Sequence, residues 1–293
     1  MKTSIIILTF NRKKDLEENI KKLLQLNPLP DEIIVIDNNS TDNIAGLFQE
    51  EITSPLVRYV KLDKNMGVSG GRNYGVEISR GNILIFIDDD AILEPEDAIK
   101  RIVNKFKIDP HIGILTFKII NYYTKTIQKN EFPHINKSLN PDRDFETSYF
   151  IGAGHVIKKE IFNQCGLYPE DYFYGLEELD LSFRAIDRGH KIVYFPEVVV
   201  WHKKSSTGRM SDKKKWTYLY RNRLAISFKY LKYRHLVVIS IIWFLKILKE
   251  SSSVFIPFKG LFSFFSYKKK LKREPISNTS LKKIKSLKGR IWF

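Results

Sequence analysis

The chain has 293 residues, of which 43% are hydrophobic and 28% are charged, and its formal net charge is +16. Its single cysteine, Cys165, excludes an intrachain disulfide and a cysteine-rich zinc module. This length and apolar fraction predict one main domain with a sizeable core and a smaller appendage. Residues 1–25 show no signal-peptide pattern, because the apolar stretch at 4–8 is short and basic residues follow it. We therefore expect a cytoplasmic protein.

Residues 1–90 alternate between apolar runs and amphipathic stretches. Apolar, β-branched runs predict strands, and apolar residues spaced three and four apart predict helices. We therefore predict strands at 3–9, 32–37, 57–60 and 82–87, and helices at 13–26 and 73–79. This alternation indicates an α/β protein with a Rossmann-type, doubly wound and mostly parallel sheet. The ligand site of such a sheet lies at the carboxyl ends of its strands.

Polar residues follow three of these predicted strands, at 9–12, 37–40 and 88–90, and we expect them to share one crevice. The last group is a run of three aspartates, Asp88, Asp89 and Asp90. Adjacent carboxylates repel one another, and a hard cation such as Mg²⁺ or Mn²⁺ relieves the repulsion. An acidic turn before a helix that begins near Pro95 is an equally good interpretation of the triplet alone.

Residues 65–73 form a glycine-rich segment that we interpret as a turn. It has neither the spacing of a P-loop nor that of a dinucleotide fold, and both are therefore disfavoured. Glycine allows the backbone to approach a ligand closely, and Arg72 at the start of the following helix could reach a diphosphate. The alternative is a tight turn with a solvent-facing Arg72.

A second acidic group opens a later helical pattern at 176–188. Glu177 and Glu178 occupy its first turn, where the helix dipole favours negative charge. A carboxylate in this position, partly screened by the aromatic residues 172–174, can act as general base towards a hydroxyl. Ordinary acidic decoration of a helix start is the other interpretation of this segment.

Together, five segments resemble the family-2 inverting glycosyltransferases, which use nucleotide-sugars and have the GT-A fold. The segments are 9–12, 37–42, 65–73, 88–90 and 177–181, and the resemblance runs from about residue 3 to about residue 202. It implies a GT-A-like catalytic domain over residues 1–210 that binds a nucleotide-diphosphate sugar and Mn²⁺ or Mg²⁺. A sugar nucleotidyltransferase is the main alternative, but residues 9–12 lack the glycine of its phosphate loop. A non-catalytic membrane-bound scaffold is another.

The resemblance also implies residue roles. Asp88 and Asp90 bind the metal and the diphosphate, Asp37 binds the base or the ribose, and Glu178 deprotonates the acceptor hydroxyl. In similar enzymes a histidine in the place of His202 completes the metal shell, although a lone histidine at a strand end is more often structural. The other residues expected at the substrate are Thr9, Asn11, Arg12, Asn39, Arg72, Asp89 and Glu177.

One departure from the family pattern concerns the base. The acidic pair of the family usually ends in Asp, whereas Glu178 is one methylene longer and follows Glu177. Either carboxylate could therefore face the acceptor. In both cases a single displacement at the anomeric carbon inverts its configuration, and no carboxylate nucleophile is required.

Residues 203–293 hold 24 Lys and Arg against 3 Asp and Glu, so the basic character belongs to the C-terminal third. We predict a helical extension over 211–293, with apolar runs at 236–245 and 254–267 that are shorter than the roughly 20 residues of a membrane span. Basic residues beside Trp and Phe favour association with a membrane surface that contains anionic lipid. A core cap or a homodimer contact is the alternative, and no nucleic-acid motif is present. The expected acceptor is a lipid-linked or cell-envelope glycan at the inner face of the membrane.

Overall fold

The structure is a computed structural model that describes residues 1–251 and 253–292. Its strands are β1 (Thr3–Thr9), β2 (Glu32–Asp37), β3 (Val57–Lys61), β4 (Ile83–Ile87), β5 (Ala91–Glu94), β6 (Ile112–Asn121), β7 (Phe145–Thr147), β8 (Gly154–Lys158) and β9 (Lys191–His202). Its helices are α1 (Lys13–Leu23), α2 (Ile44–Glu50), α3 (Gly67–Ile78), α4 (Ala98–Ile108), α5 (Lys159–Cys165), α6 (Glu177–Asp187), α7 (Asp212–Tyr230), α8 (Tyr233–Ser251), α9 (Phe255–Lys268) and α10 (Asn278–Ser286).

The described strands form one sheet in the order β3-β2-β1-β4-β8-β6-β9-β5, and β7 pairs with β9. β1 pairs in parallel with β2 and β4, and β2 pairs in parallel with β3, as the alternation of the first ninety residues predicts. Beyond β4 the sheet is mixed, because β8 runs antiparallel to both β4 and β6. The predicted α/β class with a Rossmann-type half is confirmed.

The glycine-rich segment is the largest correction to the predicted elements, because it is the start of α3 and not a turn. Glycine is poor in helices, but here the helix lies very close to β1. A Cβ on Gly71 would lie 2.3 Å from Cδ1 of Leu8, and a Cβ on Gly75 would lie 2.6 Å from Cγ2 of Ile6. The glycines therefore allow close packing of a helix on a strand. β5, which follows the aspartate triplet directly, was also missed.

The predicted C-terminal apolar runs lie in α8 and α9, and α7 and α10 complete the extension. Buried residues of these helices, among them Ile239 and Phe264, belong to the same hydrophobic cluster as Phe86 of β4 and Phe183 of α6. The division of the chain at residue 210 stays a prediction. Within residues 1–251 and 253–292, no helix is both long and apolar enough to cross a membrane.

Candidate active site

The aspartate triplet and His202 meet because β5 folds back against β9. Ala91 of β5 pairs with His202, which brings the imidazole beside the carboxylates that precede Ala91. Nε2 of His202 lies 3.3 Å from Oδ1 of Asp90 and 4.0 Å from Oδ2 of Asp88. One potential ligand atom from each of these three residues lies within 4.8 Å of the other two. Two carboxylates and an imidazole in this arrangement form a candidate divalent-metal site.

Glu131, which the sequence analysis did not identify, contacts the other ring nitrogen of His202. Nδ1 of His202 donates to Oε1 of Glu131 at 2.5 Å, and Nζ of Lys204 lies 3.0 Å from Oε2 of Glu131. Burial lowers the pKa of His202, but Asp90 and Glu131 outweigh it and raise the pKa to about 10. A carboxylate behind a metal-binding histidine orients the ring and leaves Nε2 for the metal.

Arg12 and Asp89 contact each other at the edge of this group. Nη1 of Arg12 donates to Oδ1 of Asp89 at 2.7 Å, and Nε of Arg12 donates to the carbonyl oxygen of Thr207 at 2.7 Å. Burial raises the pKa of Asp89 to about 7 despite the nearby Arg12. Arg12 thus connects the aspartate triplet to the loop after β9. Direct contact of Arg12 and Asp89 with a substrate stays a prediction, and the burial of Asp89 does not favour it.

Arg72 joins the two acidic groups that lie far apart in the sequence. It lies in the middle of α3, not at a helix start, and is only 5% exposed, which excludes the solvent-facing alternative. Its Nη2 lies 3.2 Å from Oδ1 of Asp88, while its Nη1 lies 3.3 Å from Oε1 of Glu177 and 3.4 Å from Oε1 of Glu178. The candidate metal ligands and the candidate base therefore share one guanidinium.

Glu177 and Glu178 differ in their surroundings. The Glu177 side chain is 3% exposed, and its Oε2 has no hydrogen-bond partner among the described residues. Burial and the charge of Glu178 raise the pKa of Glu177 to about 8, so it is mostly protonated at neutral pH. The Glu178 side chain is 18% exposed. Of the two carboxylates, Glu178 is the one that a substrate can reach.

Gly152 is a second residue that sequence reasoning missed. Its carbonyl oxygen accepts a hydrogen bond from Nη2 of Arg72 at 3.0 Å. A Cβ at position 152 would lie 2.1 Å from Oε1 of Glu178. The absence of a side chain at Gly152 thus makes room for the carboxylate. The sequence feature that could have indicated this close approach is the pair Gly152 and Gly154, which flank Ala153 at the start of β8.

The residues predicted to bind the nucleotide lie at the ends of β1 and β2. Thr9 pairs with Asp37 in the sheet, and both are buried. Oδ1 of Asp37 accepts from the backbone N–H of Ser40 and Oδ2 accepts from the Tyr59 hydroxyl, both at 2.7 Å. Oδ1 of Asn11 likewise accepts from the backbone N–H of Thr41 at 2.8 Å, while Asn39 is exposed. The two loops are thus joined, and their contact with a nucleotide stays a prediction.

The C-terminal helix α7 holds the segment that leads into α6. Asn222 is fully buried, and its Nδ2 lies at hydrogen-bond distance from three backbone carbonyl oxygens of that segment. The distances are 3.2 Å to Tyr172, 3.0 Å to Tyr174 and 2.8 Å to Gly175. Because Glu177 follows two residues later, Asn222 connects the C-terminal third to the candidate base. No sequence motif pointed to Asn222.

Comparisons with known proteins identify relatives of this chain. O-antigen chain rhamnosyltransferase RfbN of Salmonella typhimurium is 26% identical over 219 residues, which cover 71% of this chain and 68% of RfbN. Poly-beta-1,6-N-acetyl-D-glucosamine synthase of Staphylococcus aureus is 22% identical over 204 residues, or 68% of this chain. The chain spans about half of that synthase, 49% of its length.

The fold also has solved relatives. Mannosyltransferase PcManGT from Pyrobaculum calidifontis, solved with GDP-Man and Mn²⁺, matches with a TM-score of 0.59 at 15% identity. The match covers 97% of this chain and 79% of that protein, and at this identity it bears on the fold alone. The sequence model described as "Glycosyl transferase family 2" matches residues 4–166, which are more than half of the chain. The protein therefore belongs to glycosyl transferase family 2.

Proposed function

We propose that the protein transfers a sugar from a nucleotide-diphosphate donor to a hydroxyl acceptor, with inversion at the anomeric carbon and with the help of a divalent cation. The observation that carries the proposal is the position of Arg72. Its guanidinium lies within 3.4 Å of Asp88 on one side and of Glu178 on the other. A donor diphosphate at the aspartates and an acceptor at Glu178 would then be neighbours.

The side chains around the aspartate triplet fit a divalent cation. Asp88, Asp90 and His202 would be its protein ligands, and Glu131 would keep the imidazole in the required tautomer. Mn²⁺ accepts both carboxylate and imidazole ligands, and Mg²⁺ prefers oxygen, so Mn²⁺ suits this set better. When bound, such a cation would neutralise the charge that develops on the departing nucleotide diphosphate. PcManGT, which shares the fold, was solved with GDP-Man and Mn²⁺, and we propose that this chain also uses a nucleotide-sugar together with a divalent metal.

Glu178 would act as the general base. It is the more exposed member of the acidic pair, and it lies at the start of α6 with its Oε1 3.4 Å from Nη1 of Arg72. Glu177 is buried and mostly protonated, so it is a poor proton acceptor. The attacking hydroxyl would lose its proton to Glu178 as it bonds to the anomeric carbon, and the nucleotide diphosphate would leave from the opposite side. One displacement of this kind inverts the configuration.

The acceptor would be a lipid-linked or cell-envelope glycan at the cytoplasmic face of the membrane. Two relatives support this part of the proposal, because one is named for an O-antigen chain and the other for a poly-N-acetylglucosamine. The sugar named for each relative is not assigned to this chain. In this chain, Asp37 and Asn39 would contact the nucleotide of the donor.

The experiment that tests the base compares Glu178→Gln with Glu177→Gln. Loss of a general base typically costs about 10²–10⁴-fold in rate, so Glu178→Gln should bind the donor normally and transfer the sugar at that reduced rate. Glu177→Gln is the matched control, since the amide mimics the protonated acid that burial already favours. A crippled Glu177→Gln beside an active Glu178→Gln would reverse the assignment. A product with retained configuration would rule out single displacement.

A screen of nucleotide-sugars by thermal shift, with and without Mn²⁺, tests the donor. A true donor should raise the melting temperature more with Mn²⁺ than without it, because ligand binding to the folded state adds stability. Absence of any Mn²⁺-dependent shift with every nucleotide-sugar would contradict the proposed donor class.

A further inference from the structure

Helix α8 is apolar on two opposite sides. One side is buried in the core through Ile239, Trp243 and Ile247. The other side carries five aliphatic residues that are each at least 37% exposed, namely Val237, Val238, Ile241, Ile242 and Leu245. A helix that is apolar all round is normally buried on all sides. The exposed side of α8 therefore lacks an apolar partner within the described chain.

Helix α9 repeats this pattern with aromatic residues. Ile256 and Phe264 are buried, while four phenylalanines spaced three and four apart share the exposed side. The exposed fractions are 78% for Phe255, 50% for Phe258, 72% for Phe262 and 54% for Phe265. Exposure of four phenylalanine rings on one helix face is costly in water, because each ring has a large apolar area.

The two exposed rows lie on neighbouring helices. The ring of Phe258 packs edge-on against that of Phe244 on α8, with the centroids 5.0 Å apart. We name the nine exposed residues of α8 and α9 the apolar face. Patches of this kind mark sites that bind another molecule.

The charges around the apolar face select the kind of partner. Residues 233–270 contain seven Lys and Arg and a single acidic residue, Glu250. On α8, Lys246 and Lys249 come directly after the exposed aliphatic residues in the sequence. On α9, Lys259 lies between the exposed phenylalanines, and three lysines at 268–270 come after them. Two copies of the chain joined through this face would bring like charges together. An anionic surface would instead attract them.

We propose that the apolar face inserts into the surface of a membrane that contains anionic lipid, with α8 and α9 lying in its plane. Apolar side chains enter the boundary between head groups and acyl chains, and the flanking lysines contact the head groups. The ring of Tyr267 on α9 lies 6.4 Å from that of Tyr172, and Arg221 packs over Tyr267 at 5.0 Å. The inserted helices thus contact the segment before Glu177. That this places a lipid-linked acceptor near the base rests on the proposed function.

The test uses the full chain and vesicles of phosphatidylcholine with or without phosphatidylglycerol. The wild type should sediment with the anionic vesicles and release partly as NaCl rises from about 0.1 to about 0.5 M. The double variant Phe255→Ser/Phe262→Ser should bind at least about tenfold more weakly, since partial burial of two phenylalanines is worth that factor. Ile108→Ser/Tyr123→Ser is the matched control, because both residues are exposed and lie outside the apolar face. The control should bind as the wild type does.

Substitution is preferable to truncation here, because α8 and α9 also bury Ile239 and Phe264 in the core. Equal sedimentation of the wild type and the Phe255→Ser/Phe262→Ser variant would overturn the proposal. Light scattering that shows a wild-type dimer and a variant monomer, without vesicle binding, would assign the face to a second copy of the chain. The Mn²⁺-dependent thermal shift with a nucleotide-sugar should be the same in both proteins. If neither the wild type nor the variant shows this thermal shift, the proposed function is contradicted, while the result on membrane binding still stands.

Discussion

Gly152→Ala is the sharpest perturbation of the candidate active site. The new Cβ would lie 2.1 Å from Oε1 of Glu178, whereas ordinary contact begins at 3.4 Å, so the carboxylate must move by about 1.3 Å. The same Cβ would lie 3.2 Å from Nη2 of Arg72, which must give by a few tenths of an ångström. A misplacement of about 1 Å at a reacting group can cost about 10²-fold in rate. We therefore expect sugar transfer by Gly152→Ala to fall by about that factor.

The stability of Gly152→Ala should change little, because the group that moves is the free end of a side chain. The assay is sugar transfer at saturating donor, together with a melting curve and a double variant with Glu178→Gln. If the methyl group acts by displacing Glu178, then adding Gly152→Ala to Glu178→Gln should lower the transfer rate little further. The rate losses of the two single variants would then be non-additive. Wild-type activity in Gly152→Ala, or fully additive losses in the double variant, would refute this reasoning.

Three other predictions concern the metal ligands, the buried acid and α7. Asp90→Asn should abolish the Mn²⁺-dependent gain in nucleotide affinity, measured by thermal shift, and an unchanged gain would reject Asp90 as a ligand. The pKa of Glu177 rises from 4.5 to about 8 on folding, so the folded chain keeps a proton that the unfolded chain releases in this window. Stability should therefore fall as pH rises from 4.5 to 8, and Glu177→Gln should flatten that fall in melting temperature; parallel curves would contradict the pKa shift. Asn222→Ala should cost about 1–3 kcal/mol of unfolding free energy by removing the amide donor from the carbonyls of Tyr174 and Gly175, and should lower transfer as well. Unaltered denaturation and activity would show that the amide does not hold this segment.

The predictions that succeeded depended on short segments. β1 and β2 have their predicted bounds, 3–9 and 32–37, because a buried parallel strand has a continuous apolar run that polar residues delimit. α6 agrees with its predicted pattern to within one residue at each end. The order of the polar loops along the chain was likewise enough to indicate the family, and the match to residues 4–166 confirmed it.

The predictions that failed concerned packing between elements. Glycines at 67, 70 and 71 indicated a turn by local preference, but they lie in α3, where Gly71 and Gly75 allow the helix to approach β1. A turn was one of two interpretations of the aspartate triplet, and Asp89 and Asp90 do lie in a turn. The strand that follows them was not predicted, nor was its pairing with β9, which brings His202 to Asp90. The helix and strand propensities of short segments carry no information about pairing between distant strands. Tertiary contacts can therefore override these propensities.

The sequence by itself determined the α/β class, the parallel half of the sheet, the two acidic groups and the basic, apolar character of the C-terminal third. Only the tertiary structure decided that Arg72 joins Asp88 to Glu178, which follow it by 16 and 106 residues. It also decided that Glu177 is buried while Glu178 is partly exposed, and that the absence of a side chain at Gly152 leaves room for Glu178. The reason is physical: strand and helix patterns repeat over a few residues, whereas burial and the meeting of distant side chains depend on how the strands are ordered in the sheet.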